Sequence, residues 1–137
     1  MSDHILTSQD GHVLTITLNR PEKLNAMTVA MDEQFNQFVY EINNDDDIRS
    51  VVLTGAPGRA FCAGSDLTDL DNYGTNWQYR NRFDARKDYA RAVYLIRKPI
   101  VCAIDGYCIG DLSAQQMRMW LSETTEAMKA AARPLQL

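Results

Sequence analysis

The chain has little that would attract nucleic acid, membrane or metal. Its 137 residues carry 14 Lys+Arg against 18 Asp+Glu, a net charge of −4 with both histidines neutral. With no basic run, it lacks the electrostatic footprint of a nucleic-acid binder. No stretch approaches the roughly 18 consecutive apolar residues of a membrane span. The start, Met1-Ser2-Asp3-His4, has neither a positive stretch nor an apolar one, so a secretory signal is not expected and a cytoplasmic location is. The three cysteines, Cys62, Cys102 and Cys108, form no CxxC pair. They are read as small, half-buried side chains in a reducing compartment. The only histidines, His4 and His12, stand near the start without ligand spacing and are read as surface or hairpin residues. What remains is ordinary for one globular domain: 45% hydrophobic and 23% charged residues.

Periodicity supplies the elements. Residues 4–20 predict a hairpin. A strand over His4–Ser8 meets turn chemistry at Gln9-Asp10-Gly11, and Leu14, Ile16 and Leu18 then alternate onto one face. Met27, Met31, Phe35, Phe38 and Ile42 make one stripe of a helix over 28–43, with Thr28 as N-cap and Asp32 favoured by the helix dipole. Asn43–Asp47 reads as a solvated loop and Ser50–Thr54 as a strand buried on both faces. Asp69–Asn76 reads as a flexible loop. A second helix is expected over 77–97, with Tyr79, Phe83, Ala90, Val93 and Tyr94 inward and Pro99 ending it. Residues 99–104 are another buried-strand candidate, and 112–131 have helical composition with Met117, Trp120, Leu121 and Met128 in a stripe. Strands alternating with amphipathic helices argue for an α/β layer architecture.

Two glycine-punctuated segments stand where strands should hand over to helices: Phe61-Cys62-Ala63-Gly64-Ser65-Asp66-Leu67 and Asp105-Gly106-Tyr107-Cys108-Ile109-Gly110. Glycine allows backbone to approach a ligand closely, and amides exposed in such loops can bind a developing negative charge. Alone, each is a turn like many others. With Leu18–Met27 (LNRPEKLNAM) and Val51-Val52-Leu53-Thr54-Gly55 ahead of them, in that order and at those distances, the four pieces closely resemble the N-terminal half of the crotonase, or enoyl-CoA hydratase/isomerase, superfamily.

The resemblance runs from about residue 5 to residue 110. It implies an α/β fold of the ClpP/crotonase type, a spiral of ββα units, here incomplete. Residues 1–110 would form the N-terminal part and residues 111–137 an atypical helical tail. It implies acyl-CoA thioester substrates, with coenzyme A as part of the substrate and no prosthetic group or metal. Two backbone amides would polarise the thioester carbonyl. By motif position Ser65 supplies the first through its main chain, and Asp111 occupies the slot of the second, where the family has glycine. Ala63, Asp66 and Leu67 resemble the backbone positions that hold the adenine ring, and Gly64 between them is counted with the cofactor-binding residues. Lys23, Leu24 and Ala26 resemble the loop at the CoA entrance, and Tyr107 and Gly110 belong to the second glycine segment. Lys23 is read either as a point charge on a CoA phosphate or as a solvated loop lysine. Asp66 is expected to be structural and not a base.

After Gly110 the sequence departs from the family: Asp111-Leu112-Ser113-Ala114-Gln115 replaces two further glycines and, at Ala114, a common catalytic Glu. Losing one oxyanion donor costs roughly 100- to 1000-fold in rate, and losing acid–base groups costs roughly 100- to 10,000-fold more. The resemblance therefore implies a hydratase/isomerase (a lyase) by ancestry whose catalysis is impaired in this chain. The alternative is a non-catalytic CoA- or partner-binding fragment that needs a full-length subunit to fold. Residues 115–128 loosely resemble a later family helix, which points to a missing central block after Gly110; a frameshifted tail is the other reading. The family's homotrimers, or pairs of trimers, are built with C-terminal helices largely missing here. Their loss is expected to expose the interior faces of Leu14, Ile16, Val51 and Leu53.

Overall fold

A computed structural model of the chain describes residues 3–71 and 89–109. The first two strands, β1 (Ile5–Asp10) and β2 (Val13–Leu18), form the antiparallel hairpin that the Asp-Gly turn predicts. β1 runs two residues further than the sequence reading, because Gln9 and Asp10 still pair with Leu14 and Val13. The turn then falls on Gly11, at φ +55, and His12. Helix α1 (Val29–Asn44) carries the chain across to β3 (Ser50–Gly55), which lies parallel to β2 with Ile16 beside Leu53. A short strand β4 (Ala60–Cys62) and a one-turn helix α2 (Leu67–Asp71) follow. Helix α3 (Tyr89–Leu95) then leads into β5 (Ile100–Ala103), parallel to β3, and β6 (Tyr107–Cys108), parallel to β4. The main sheet has the order β1-β2-β3-β5, and β4 and β6 make a second, two-stranded sheet.

The core lies on one face of the main sheet. Leu14, Ile16, Leu18, Val51, Leu53 and Ile100 join Met31, Phe35 and Ile42 of α1 and Tyr89, Ala92 and Val93 of α3 in one apolar cluster. The stripe read from the sequence is the buried face of α1. Phe38 is only partly buried and meets Phe35 edge-to-face, ring centroids 6.2 Å apart. Leu14, Ile16, Val51 and Leu53 are all buried. The expected apolar patch at these residues is absent, because α1 and α3 already cover them.

Four further expectations need correction. β3 is not buried on both faces, since Val52 and Thr54 on the side away from the helices are only half-buried. The inner face of α3 is Tyr89, Ala92 and Val93, followed by Ile96, while Tyr94 is 72% exposed. Tyr89 and Val93 are four residues apart and Ala92 three from Tyr89, which is the helical spacing; Tyr94 is a step off that line. Helix α3 also ends at Leu95, four residues before Pro99. Asp69 does not sit in a flexible loop. It lies in α2, and its carboxylate accepts the amide of Val29 at 2.8 Å, an N-terminal amide of α1 left without an intrahelical partner.

Of the expected Asn43–Asp47 loop, Asn43 and Asn44 still belong to α1 and only Asp45–Asp47 is exposed and non-helical, with Asp45 Oδ1 accepting the Asp47 amide and the Lys98 ammonium donating to the carbonyls of Asp45 and Ile48. His12 is exposed in the hairpin turn, its Nδ1 at 2.8 Å from the Asp47 carbonyl. Tyr79, Phe83, the tail stripe of Met117, Trp120, Leu121 and Met128, and Gly110, Asp111 and Ala114 lie outside the described residues. None of the described helices is long and apolar enough to cross a membrane.

Candidate active site

Both glycine segments begin in the small sheet. β4 and β6 run parallel, with Ala60 beside Tyr107 and Cys62 beside Cys108. The Tyr107 amide donates to the Arg59 carbonyl at 3.0 Å and the Ile109 amide to the Cys62 carbonyl at 2.9 Å. Gly106 makes this pairing possible. Its φ is +79, and a Cβ there would stand 2.3 Å from the Arg59 carbonyl oxygen, so a side chain would push the strands apart. The two segments therefore leave the sheet side by side and in the same direction. Ser65 follows Cys62 by the same count of residues as Asp111 follows Cys108.

The other flank of the first segment is held by the loop before α1. Ala63 donates its amide to the Leu24 carbonyl at 3.0 Å. Met27 donates to the Gly64 carbonyl at 2.8 Å, and Asp66 donates to the Met27 carbonyl at 2.8 Å, so Met27 and Ser65 form an isolated parallel bridge. A trans peptide is planar, with its C=O and N–H opposed, and none of the described peptides is cis. With the Gly64 carbonyl turned to Met27, the amide of Ser65 points the other way.

Arg20 and Asn25 fasten the Met27 loop, and the sequence reading gave neither a role. Asn25 is fully buried in the left-handed region, φ 54, which Asn tolerates better than most residues. Its Oδ1 accepts the Arg20 amide at 2.8 Å, and its Nδ2 donates to the carbonyls of Ala60 at 2.8 Å and Ala56 at 3.3 Å. Gly55 leaves room for that amide, since a Cβ there would stand 2.9 Å from Asn25 Nδ2. The buried Arg20 guanidinium donates to the Ala26 carbonyl at 2.6 Å and to Asp66 Oδ2 at 2.9 Å. Asp66 Oδ1 accepts the amides of Thr68 and Asp69 at the start of α2. Burial raises the Asp66 carboxyl, but the Arg20 bond, the two amides and the Arg20 charge outweigh it and hold the group below the usual carboxylate range. These are the bonds of a structural anchor. The signal for both hubs was in the sequence: an Asn in a loop opened by Pro21, and an Arg upstream of an Asp followed by a helix.

The remaining predicted site residues sit around this frame. Lys23 closes a 3-10 turn, Pro21–Lys23, and is exposed; Leu24 follows at φ 53, also exposed. Ala26 is buried, its carbonyl bound by Arg20. Gly64 is buried at φ 91, and Ser65 and Ala63 are half-buried. Leu67 and Tyr107 are exposed. Burial pushes the Cys62 thiol up to about 11, with the nearby Cys108 and Asp32 adding to it and the Gly64 amide and Tyr89 side chain opposing. Burial also raises Cys102 to about 11, and raises Cys108. None of the three is activated as a nucleophile. Among the described residues no cluster of His, Cys, Asp and Glu is placed to hold a metal.

Known proteins resemble the chain along most of its length. A model of the enoyl-CoA hydratase/isomerase family matches residues 13–131, running past residue 110, where the motif resemblance stops. The chain is 36% identical over 113 residues to a 1,2-epoxyphenylacetyl-CoA isomerase of Escherichia coli, covering 80% of this chain and 43% of that protein. It is 29% identical over 108 residues to a short-chain-enoyl-CoA hydratase of Clostridium acetobutylicum, covering 79% of this chain and 41% of that one. Among solved structures, an enoyl-CoA hydratase/carnithine racemase from Magnetospirillum magneticum superposes with a TM-score of 0.72 at 30% identity, over 80% of this chain and 42% of that one. The chain thus spans less than half the length of these relatives.

Proposed function

Since the chain belongs to the enoyl-CoA hydratase/isomerase family and has the crotonase fold, we propose that it binds an acyl-CoA thioester and polarises its carbonyl through the backbone amide of Ser65. The observation that carries this reading is the direction of that amide: the Met27 bond on the Gly64 carbonyl turns it away from the Met27 loop. A backbone amide fixed before the ligand arrives stabilises developing negative charge without reorganising. The Ser65 hydroxyl is not the nucleophile in this reading, because no His or Lys stands near it in sequence to activate it.

In the same reading Lys23 and Leu24 border the CoA entrance, the Lys23 ammonium meeting a phosphate of the coenzyme. The amides of Ala63 and Asp66 are spent on the carbonyls of Leu24 and Met27. These residues and Leu67 therefore face the adenine ring through carbonyl oxygens. Tyr107 and Gly110 border the acyl end, and Asp111 stands in the second amide slot. A carboxylate there opposes an oxyanion, and Ala114 supplies no proton. Binding is therefore strong relative to turnover.

Calorimetric titration with crotonyl-CoA tests binding, and loss of the enoyl thioester's ultraviolet absorbance tests hydration. Heat of binding with hydration at least about 100-fold below that of a full-length relative is expected. Absence of binding overturns the reading, and turnover equal to a full-length relative overturns the impairment.

A further inference from the structure

Arg20 heads a connected row of hydrogen bonds that ends on the Ser65 amide. Its Nη1 donates to the Ala26 carbonyl at 2.6 Å. That carbonyl shares a peptide plane with the Met27 amide, which donates to the Gly64 carbonyl at 2.8 Å. The Gly64 carbonyl in turn shares a plane with the Ser65 amide. In a trans peptide C=O and N–H are opposed, so guanidinium, two peptides and the Ser65 N–H follow one another head to tail.

A cation at the head of such a row acts on its far end. By drawing on the Ala26 carbonyl it makes the Met27 N–H a better donor, and that donor draws in turn on the Gly64–Ser65 peptide. Hydrogen bonds in a chain polarise one another, most where water is excluded. The Arg20 side chain is 10% exposed, and Met27 and Gly64 are buried. Stability alone is a poor reason for this arginine. A buried guanidinium is costly, and its Nε has no hydrogen-bond partner among the described residues. Asp66 Oδ2 lies 2.9 Å from Nη2 and offsets part of the charge, but it is Nη1 that meets the Ala26 carbonyl. The ion pair has a second effect. Asp66 follows Ser65 in the chain, and its unpaired charge would oppose an anion on the Ser65 amide.

We propose that Arg20 is a positioning residue for the thioester: through the Ala26–Met27 and Gly64–Ser65 peptides it orients the Ser65 amide and strengthens it as a donor, and through Asp66 it neutralises the carboxylate beside it. The purpose of the row rests on the acyl-CoA reading; its bonds do not.

The Ser65 amide proton resonance of the full chain without ligand tests it, because a polarised donor resonates at lower field. In Arg20→Met the Ser65 and Met27 amide protons are expected to move upfield. Arg20→Lys, which keeps a cation for the Ala26 carbonyl, is expected to bring both back toward their original positions. The Ala63 amide, bonded to the Leu24 carbonyl and so off the row, holds its position in both variants. Arg20→Met leaves Asp66 without its cation; if that variant loses protection of the β2–β3 ladder, the same upfield move is read in Arg20→Met/Asp66→Asn against Asp66→Asn. An unmoved Ser65 amide overturns the proposal. So does an Ala63 amide that moves as far as Ser65, or an Arg20→Lys that matches Arg20→Met, since an arginine that only braces the loop gives those results. Calorimetry of crotonyl-CoA with the unsubstituted chain separates the two ideas. The expected shifts without binding reject the acyl-CoA reading and keep the row, and binding with an unmoved Ser65 amide in Arg20→Met does the reverse.

Discussion

Arg20 and Asn25 do by hydrogen bonds what a longer loop would do by packing. Arg20 joins the carbonyl of Ala26 to the carboxylate of Asp66, and Asn25 joins the loop to Ala56 and Ala60. Replacing Asn25 with Ala leaves buried carbonyls unsatisfied and a left-handed residue without its tolerance for that region. A loss of about 2 kcal/mol by urea denaturation is expected, with Asn25→Asp intermediate. The Asp66 carboxyl is held low, so its ion pair contributes above the ordinary carboxylate value and is lost as pH falls through the lower, folded one. Acidification below about pH 4 is therefore expected to loosen the 20–26 loop, and Asp66→Asn to flatten that acid limb, as amide chemical shifts along the loop report. The sequence displayed both hubs inside its longest motif but gave neither a partner, because Arg20 and Asp66 are 46 residues apart. Only the fold brings them together.

Among the elements, α1 was the most legible. Its stripe, its length to within a residue and its Thr28 cap, which accepts the Met31 amide at 3.2 Å, follow from spacing and chemistry. Thr28→Ala is expected to cost about 1 kcal/mol and Thr28→Ser almost nothing, by thermal denaturation. What spacing did not carry is Asp32. The sequence placed it near the helix N-terminus for its charge, whereas the fold buries it against the amide of Tyr89. The inward side of α3 was half legible: Val93 was placed rightly and Tyr94 was not, because a short helix with residues of mixed size offers more than one face of similar polarity. The small sheet was not legible, since two- and three-residue strands carry too little periodicity to be read. Its weak point is Gly106. In Gly106→Ala the new methyl meets the Arg59 carbonyl. Crotonyl-CoA binding is expected to be lost in calorimetry, while amides of the β2–β3 ladder keep their exchange protection.

Across the whole molecule, one core serves the described part of the chain, and it closes over a cysteine. Cys62 is fully buried and Cys102 and Cys108 are partly so. Because burial raises their folded values, with Cys62 and Cys102 at about 11, the stabilising share of these thiols is complete below the ordinary thiol value. It is lost as pH rises from there through about 11. Thiol labelling at neutral pH is accordingly expected to be slow in the folded chain and to accelerate in urea in step with unfolding. The same closure explains why the expected exposed patch is missing: α1 and α3 supply the cover that was assigned to helices further along the chain. The catalytic expectation turns on residues beyond Ile109, whereas the binding expectation turns on a frame that is fully formed before it. Infrared spectroscopy of crotonyl-CoA, isotope-labelled at the thioester carbonyl and bound to the chain, tests the Ser65 amide most directly. The account predicts that the bound carbonyl band moves to lower frequency. A bound ligand whose carbonyl band stays at its free position would contradict it.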